Sequence, residues 1–469
     1  MNYSDAERIA TILEKHKMKS AASINEADLI VFVTCGVRQS AEDRVYGLVN
    51  NIRKKYPKKK IVLTGCLARR KDVQRRLKNK VNLFCEISKF PREIKKIPDT
   101  GYRIPDTQTV LCNDYLEITP KYVNRYTAYI PIMTGCDNFC AYCVVPAARG
   151  REYSRPAEDI LKEAKGLIKK GYKEIILLGQ NVNSYNSRIR TNEKQIGTNI
   201  CSHSLSFVPD SRVVNFPLLL RLIEKIPGKF WLTFLTSHPK DMSDELIRTI
   251  AESKKICEYV SLPAQAGDNE VLRRMNRKYT IGHYKNLVKK IRRAYLEAKL
   301  PIGSLASNPA ISTDIIVGFP GETRKQFENT AKLLRELKFD MAYIAQYSPR
   351  PETAAWQMKD SVSKKEKSRR EKVLTKILEK TALANNKKYV GKVIEVLVDQ
   401  ILSSPRTRGS RSKKLDSRVS GNGSAIKYLA HTRTQKKVLF SSDKKIPVGS
   451  FAKVKITKAK AFGLEGEVN

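Results

Sequence analysis

The sequence predicts an α/β protein in three parts: an N-terminal doubly wound parallel sheet that is incomplete at its start, a central partial (β/α)6 barrel and a small C-terminal antiparallel β-barrel. Apolar, strand-like runs alternate with single amphipathic helices through residues 1–119, and this alternation recurs six times through residues 122–362. The pattern is typical of parallel sheets. A charged helical linker over 363–388 leads to short runs that alternate apolar and polar residues over 389–469, which indicates a small barrel.

The composition is that of a globular chain with a large excess of positive charge. The 469 residues include 89 Lys and Arg against 47 Asp and Glu, a formal net charge of +42. No apolar run approaches the ~18–20 residues that cross a bilayer, and the segment Met1–Ser20 lacks the apolar core of a signal peptide. We therefore expect a cytoplasmic protein with no membrane partner, and we expect a monomer. The charge favours nucleic acid as a partner, although solubility alone explains the charge equally well.

The N-terminal part begins with an amphipathic helix that runs to Lys15, and Ser4 is predicted to be its N-cap. Its apolar strands are predicted over Asp28–Cys35, Lys59–Cys66 and Val81–Cys85. The carboxyl ends of parallel strands meet at one edge of a sheet, and ligands bind at that edge. The sequence therefore predicts that Cys35 and Cys66 are neighbours.

The central part contains six consecutive strand–helix units. The strands are predicted to begin at Ala128, Glu174, Phe230, Tyr259, Ser312 and Met341. The helices between them include Ala157–Lys169, Ser243–Glu252, Ile281–Glu297 and Arg324–Leu337. Such units predict a parallel sheet that curls into a partial barrel, with the chemistry on the loops after the strands. Two stretches interrupt the alternation of strands and helices and are predicted to be insertions into loops: Ser187–Asn215 and Pro301–Ile311.

The last part of the chain is basic and rich in predicted strands. Its alternating runs are Gly391–Asp399, Lys437–Ser442 and Ser450–Val468. Residues 386–469 hold 19 Lys and Arg against 6 Asp and Glu, and a tract rich in Ser, Arg, Lys and Gly over Ser403–Ser424 is predicted to be a loop. A small basic β-barrel at a terminus indicates an RNA-binding domain, and a merely solvated basic tail is the alternative.

Nine cysteines are too few for a disulfide scaffold, and their odd number fits a reducing compartment. Three of them, Cys136, Cys140 and Cys143, lie together in GCDNFCAYC after the first central strand. Three thiolates can hold three irons of a 4Fe–4S cluster and leave the fourth iron open to a substrate or cofactor. A structural zinc ion would need a fourth ligand, and no nearby His or Cys stands at zinc spacing. The remaining scattered thiols are interpreted as buried or incidental: Cys85, Cys112, Cys201 and Cys257.

Several longer motifs accompany these cysteines. They are TCGVRQSAEDR with Cys35, TGCLARR with Cys66, GCDNFCAYCVVPAARGREYSRP, EIILLGQNVNSY, TSHP, LPAQAGDNEVLRRMNRKYT, DIIVGFPGET and FDMAYIAQYSPRPET. In these motifs the chain resembles the radical S-adenosylmethionine (SAM) methylthiotransferase family, and GQNVNSY favours the branch that modifies dimethylallyl-adenosine in tRNA. The resemblance implies a methylthiotransferase domain over 1–119, a radical SAM domain over 122–362 and a TRAM-like, RNA-binding domain over 389–469.

The resemblance also implies the cofactors and the reaction. A 4Fe–4S cluster on Cys136, Cys140 and Cys143 binds S-adenosylmethionine and splits it to a radical, which removes hydrogen from carbon 2 of a dimethylallyl-adenosine beside the tRNA anticodon. A second 4Fe–4S cluster, with Cys35 and Cys66 among its ligands, supplies sulfur, and a second S-adenosylmethionine supplies the methyl group. The implied partners are the anticodon arm of tRNA and an electron donor such as a flavodoxin or ferredoxin.

The chain departs from the family at the second cluster, which needs three cysteines where only Cys35 and Cys66 match. Because the chain starts like the continuation of the family's first cysteine motif, we expect the third ligand upstream of Met1. The alternative is a non-thiolating, tRNA-binding relative without a complete second cluster. A sister activity, on threonylcarbamoyl-adenosine of tRNA or on a ribosomal protein, is a further alternative. A smaller departure is Glu352, which stands where the family usually has glycine.

Overall fold

The computed structural model describes residues 1–36, 39–97, 115–188, 213–298, 309–403 and 425–468. Within these ranges, no helix is both long and apolar enough to span a membrane. Cys112, Cys201 and most of the three predicted loop segments, over 187–215, 301–311 and 403–424, lie outside the described residues.

The N-terminal part is a parallel sheet with helices on both faces. Its elements are α1 (Asn2–Lys15), β1 (Leu29–Thr34), α2 (Gln39–Lys55), β2 (Lys60–Gly65), α3 (Lys71–Leu77), β3 (Leu83–Cys85) and α4 (Phe90–Glu93). The strands pair in the order β1–β2–β3. Because alternate residues of a strand point to opposite faces, Val31 and Val62 pack with α1 and α4, whereas Ile61 and Leu63 pack with α2 and α3. The doubly wound sheet is thereby confirmed.

The predicted N-cap at Ser4 was wrong, because α1 begins two residues earlier, at Asn2. Ser4 is buried inside the helix, where its hydroxyl donates to the carbonyl oxygen of Tyr129 at 3.4 Å and accepts a hydrogen bond from Arg8. Packing of α1 against the central part, rather than capping, therefore determines the environment of Ser4.

The central part contains all six predicted parallel strands. Its elements are β4 (Thr127–Pro131), β5 (Met133–Thr134), α5 (Val145–Arg149), β6 (Tyr153–Ser154), α6 (Ala157–Lys169), β7 (Glu174–Leu178), β8 (Asn186–Arg188), β9 (Val213–Asn215), α7 (Phe216–Glu224), β10 (Trp231–Phe234), α8 (Asp244–Glu252), β11 (Tyr259–Ser261), α9 (Asn269–Arg274), α10 (Ile281–Glu297), β12 (Ala310–Val317), α11 (Arg324–Leu337) and β13 (Met341–Gln346). Two three-stranded sheets, β4–β7–β10 and β11–β12–β13, are linked by a bridge between Leu232 and Ile256. Among the described residues β4 and β13 are not paired with each other, so the barrel is partial.

Both predicted insertions of the central part have regular ends. The short strands β8 and β9 pair antiparallel at the two ends of the first insertion. Strand β12 begins at Ala310, within the second predicted insertion, rather than at Ser312. Helix α12 (Lys364–Lys387) then follows over the predicted linker and packs firmly, since Leu378 and Ala382 contact Ala342 of β13.

The C-terminal part is a closed five-stranded barrel. Its strands are β14 (Val393–Ser403), β15 (Ile426–Thr432), β16 (Lys437–Ser442), β17 (Phe451–Lys460) and β18 (Gly463–Glu467), in the order β14–β15–β16–β18–β17. Four pairings are antiparallel as predicted, but β16 and β18 run parallel. A closed ring with an odd number of strands cannot alternate direction at every pairing. A wholly antiparallel barrel is therefore impossible with five strands, and the prediction was wrong at this one pairing.

The C-terminal barrel docks on the amino-terminal ends of the central strands. Trp231, the first residue of β10, packs with Leu397 of β14. Three ion pairs surround this contact: His431 with Glu174 at 3.3 Å, Arg433 with Glu258 at 2.8 Å and Lys436 with Asp340 at 2.7 Å. Burial alone lowers the pKa of His431, but its hydrogen bonds to two carboxylates outweigh burial and raise this pKa to about 10. The docked barrel therefore presents a charged imidazole at neutral pH.

Candidate active site

The loop with three cysteines follows β5, at the carboxyl end of the first central strand. Hydrogen bonds hold its backbone on two sides: the amide of Ala141 donates to the carbonyl oxygen of Met275 at 2.9 Å, and the amide of Ala355 donates to the carbonyl oxygen of Ala141 at 2.7 Å. Gly135, just before the first cysteine, has φ 74°, and a Cβ there would lie 1.9 Å from the carbonyl oxygen of Arg151. Only glycine fits this position without displacing the backbone, so close packing determines the path of the loop.

The three thiols of this loop have different surroundings. Cys136 is buried, whereas Cys140 and Cys143 are partly exposed. Burial raises the pKa of Cys136 and raises that of Cys143 to about 12, so both thiols are protonated at neutral pH in the absence of a metal. The side-chain amide of Asn138 donates to Sγ of Cys136 at 3.4 Å. Binding of iron as thiolates would release the protons of both thiols.

Cys140 has a cationic partner that the sequence analysis missed. Nη1 of Arg277 donates to Sγ of Cys140 at 3.2 Å, while its Nε and Nη2 donate to the Tyr279 hydroxyl at 3.1 Å and the Pro263 carbonyl oxygen at 3.3 Å. Arg277 is only 7% exposed. Hydrogen bonds to cluster sulfurs tune the reduction potential of iron–sulfur centres. Arg277 stands in LRRMNRKYT, 137 positions from Cys140, so no local spacing connects the two residues.

The structure brings Cys35 and Cys66 together at the carboxyl ends of β1 and β2. The amide of Cys66 donates to the carbonyl oxygen of Thr34 at 3.1 Å, which ties the two strand ends to each other. Gly36 lies between the two cysteine sets, since a Cβ added to it would be 3.2 Å from Cβ of Cys66 and 3.3 Å from Cγ2 of Val144. The end of β1 therefore lies close both to Cys66 and to Val144, the residue that follows Cys143.

Two buried ion pairs fix the N-terminal part against this region. Nη2 of Arg149, in the last turn of α5, lies 2.7 Å from Oδ2 of Asp5 in α1. Nη1 of Arg350, in the loop after β13, lies 3.1 Å from Oε2 of Glu42 at the start of α2. Removal of one partner of such a buried pair typically costs about 3–5 kcal/mol. These pairs therefore hold the two cysteine sets in a defined relative position.

Arg149 also has an unused hydrogen-bond donor. Its Nη1 is buried and has no hydrogen-bond partner. The guanidinium is close enough to Cys66 for the charges of the two groups to interact. An unpaired buried donor costs about 1–3 kcal/mol unless a partner satisfies it. The surroundings of Cys66 thus suit a group with negative charge.

The donor set of the cysteine loop suits an iron–sulfur cluster. A 4Fe–4S cluster binds each of its cysteine thiolates through a separate iron. Cys136, Cys140 and Cys143 offer three thiols on one loop, and Arg277 donates a hydrogen bond to one of them.

The other described cysteines do not join either set. Cys85 lies in the apolar core beneath the N-terminal sheet, where burial raises its pKa to about 12. Cys257 packs with Trp231 and Leu397 at the contact between the two barrels. Cys112 and Cys201 lie outside the described residues.

Backbone strain and unpaired polar atoms gather at the carboxyl ends of the central strands. Thr236, Gln265 and Glu352 follow β10, β11 and β13 with φ of 80°, 66° and 67°, a region that costs a residue with a side chain about 1–2 kcal/mol. Oδ1 of Asn181 and Oγ of Ser237 are buried there without partners. Strain and orphaned polar atoms are typical of ligand sites. Apart from Glu352, which stands where the family usually has glycine, these residues lie in motifs noted from the sequence, but neither backbone strain nor an unpaired polar atom has a sequence pattern that would single them out.

Three family models match parts of the chain. They are the radical SAM superfamily over residues 130–334, the uncharacterized protein family UPF0004 over residues 1–85 and the TRAM domain over residues 415–468. Among solved structures, the radical S-adenosylmethionine methyltransferase TsrM of Kitasatospora setae is similar over 75% of this chain and 73% of that chain, with 13% identity and a TM-score of 0.47. The radical SAM match gives this chain an iron–sulfur cluster and S-adenosylmethionine as cofactors.

Curated relatives match the chain over its whole length. The tRNA-2-methylthio-N(6)-dimethylallyladenosine synthase of Thermoanaerobacter pseudethanolicus is 37% identical over 478 residues, which cover 100% of this chain and 90% of that protein. The synthase of Carboxydothermus hydrogenoformans is 36% identical over 475 residues, which cover 99% of this chain and 96% of that protein. On this full-length similarity, the protein belongs to the MiaB-type family of radical S-adenosylmethionine methylthiotransferases.

Proposed function

We propose that the protein adds a methylthio group to carbon 2 of an N6-dimethylallyl-adenosine next to the anticodon of tRNA. The observation that carries the proposal is the closeness of the two cysteine sets at Gly36, where an added Cβ would lie 3.2 Å from Cβ of Cys66 and 3.3 Å from Cγ2 of Val144, the residue after Cys143. Insertion of sulfur at an unactivated carbon needs a radical source and a sulfur source within reach of the same atom. The full-length relatives are named for the synthesis of this modified nucleoside, which further supports the proposal.

Cys136, Cys140 and Cys143 are the proposed ligands of the first 4Fe–4S cluster, with the fourth iron open to S-adenosylmethionine. When bound, this pair of cofactors supplies the radical that removes hydrogen from carbon 2. The protein itself orients the cofactors and excludes water. The two hydrogen bonds of Ala141 hold the loop, and the buried guanidinium of Arg277 donates to Sγ of Cys140.

Cys35 and Cys66 are the proposed ligands of the second 4Fe–4S cluster, which serves as the sulfur source. Their proximity and the unpaired Nη1 of Arg149 beside Cys66 support an anionic group at this place. A three-thiolate set needs one further cysteine, and the buried thiols of Cys85 and Cys257 do not supply it. The second candidate function is a relative that binds tRNA without inserting sulfur.

The proposed substrate is tRNA, recognised through its anticodon arm. The TRAM match and the net charge of +42 support a nucleic-acid partner. Because cleavage of S-adenosylmethionine consumes an electron, a flavodoxin or ferredoxin is the proposed donor. We further propose a cytoplasmic monomer, with domains over 1–119, 122–362 and 389–469 and a linker over 363–388.

Nucleoside mass spectrometry of tRNA from a deletion strain tests the proposal. Loss of methylthio-dimethylallyl-adenosine on deletion, and its return on complementation with the wild-type gene, is the expected result. Complementation with Cys66→Ala is expected to leave the dimethylallyl precursor without a methylthio group. Unchanged thiomethylated adenosine in the deletion strain would refute the proposal, and a mass shift on a ribosomal protein instead of tRNA would indicate the sister activity. Iron counts near four rather than eight per chain, without thiomethylation, would support the tRNA-binding relative.

A further inference from the structure

The loop between the first two ligand cysteines presents an aromatic ring to solvent. Phe139 is 49% exposed, and its backbone has φ 45°. Left-handed backbone costs a residue with a side chain about 1–2 kcal/mol, and exposure of a large apolar ring forgoes the stabilisation that burial would give. Backbone strain at a residue whose side chain is not packed in the core is typical of residues that contact a ligand. The exposed ring of Phe139 therefore suggests a binding role.

Neighbouring side chains contact the backbone and the ring of Phe139. Nδ2 of Asn276, itself at φ 56°, donates to the carbonyl oxygen of Phe139 at 2.8 Å. The guanidinium carbon of Arg151 lies 5.7 Å from the centre of the ring, and the side chain of Arg151 is 78% exposed. The ring of Phe139 and the guanidinium of Arg151 thus form a small exposed surface beside Cys140.

We propose that Phe139 is a stacking platform for an unpaired base of the tRNA anticodon loop, adjacent to the adenosine that is modified. Proteins that bind single-stranded RNA loops stack splayed bases on aromatic rings and guanidinium planes, and they contact the phosphates with basic side chains. Phe139 directly precedes Cys140, so a base stacked on it lies beside the proposed radical centre. This inference rests on the proposed function, because it assumes a tRNA substrate.

The surface favours RNA over an apolar protein partner. The guanidinium of Arg151 beside the ring pairs a cation with an aromatic face, an arrangement that matches a base with its phosphate. Arg151 also pairs with Asp137, whose Oδ1 lies 2.8 Å from Nε of Arg151 and accepts a hydrogen bond from the amide of Glu152. The strong positive charge of the whole chain also favours an RNA partner.

Binding of an anticodon stem-loop to the cluster-loaded, full-length protein tests the inference. The RNA carries N6-dimethylallyl-adenosine with 2-aminopurine next to it, because 2-aminopurine emission reports stacking. Phe139→Leu keeps an apolar side chain without the ring, and Phe139→Trp keeps a ring. Since stacking is worth about 1–3 kcal/mol per base, we expect Phe139→Leu to raise Kd roughly five- to 150-fold and Phe139→Trp to stay within about threefold of wild type. Iron per chain is measured for every variant.

Each outcome decides the inference. Equal Kd values for Phe139→Leu and wild type would overturn the stacking role. A second measurement needs no variant: 2-aminopurine emission that does not change when the RNA binds to the wild type would also overturn it. A change in oligomeric state with unchanged RNA affinity would identify the surface as a contact between two copies of the chain, and would also overturn the inference. A wild-type protein that neither binds nor thiomethylates tRNA would refute the proposed function itself. Thiomethylation by the wild type together with equal affinities would refute the stacking role alone.

Discussion

Gly135→Ala is expected to disrupt the cysteine loop without removing any cysteine. At φ 74° an alanine costs about 1–2 kcal/mol more than glycine. Its Cβ would also lie 1.9 Å from the carbonyl oxygen of Arg151, where real contacts keep about 3.0 Å. Separation of the two backbone segments costs about 1–3 kcal/mol, as in overpacked cores. The sum is about 2–5 kcal/mol, and even 2 kcal/mol lowers the ratio of native to non-native loop about thirtyfold.

Gly171→Ala is the matched control for this substitution. Gly171 has φ 89°, yet an added Cβ would meet no atom within 4 Å, so only the conformational cost of about 1–2 kcal/mol applies. It follows α6, away from the cysteines. After anaerobic reconstitution with limiting iron, we expect Gly135→Ala to hold much less iron than wild type and Gly171→Ala to match wild type. Wild-type iron content with an unchanged electron paramagnetic resonance signal in Gly135→Ala would refute the steric argument.

Three further predictions concern single side chains. Arg277→Gln removes a cation from Cys140 and is expected to lower the reduction potential of the cluster; an unchanged potential in a redox titration would exclude this role. Cys140→Ala should abolish cleavage of S-adenosylmethionine, whereas Cys66→Ala should retain cleavage and lose sulfur insertion; loss of both steps in the second variant, seen by product mass spectrometry, would argue against separate clusters. The pKa of His431 is raised from 6.5 to about 10 in the folded protein, so its charge stabilises the folded state fully below pH 6.5, and this contribution is lost as pH rises through about 10. His431→Gln should accordingly lower the melting temperature at pH 6 more than at pH 10, and an equal effect at both pH values would contradict this.

The repeating parts of the fold were predictable because each follows from a local pattern. Val31 and Val62 on one face of the N-terminal sheet, with Ile61 and Leu63 on the other, give the apolar runs of strands covered on both sides. Parallel pairing of such strands places their carboxyl ends at one edge whatever the loops between them contain. For this reason the proximity of Cys35 and Cys66 follows from topology alone.

The contacts that complete the site were not predictable, because they join side chains far apart in sequence. Glu42 and Arg350 are separated by 308 positions, and Arg277 is 137 positions from Cys140. Neither pair produces a periodic pattern, and a basic residue in so basic a chain carries little information. The left-handed backbone at Glu352 is a partial exception: the glycine usual in the family indicates a positive φ, and the structure has φ 67° there.

The topology separates the C-terminal barrel from the two cysteine sets. The C-terminal barrel docks at the amino-terminal ends of the central strands, whereas both cysteine sets lie at carboxyl ends. Strand β12, with eight residues, alone spans about 26 Å at ~3.3 Å per residue. An RNA that contacts both regions therefore extends at least this far along the outside of the central barrel. The face with His431 and Arg433 is occupied by docking, so the proposed phosphate contacts of the C-terminal barrel fall to its other faces. Phosphate contacts position an RNA and do not select its base, so the proposed function assigns selection of the adenosine to the carboxyl ends of the central strands, where the cysteines lie.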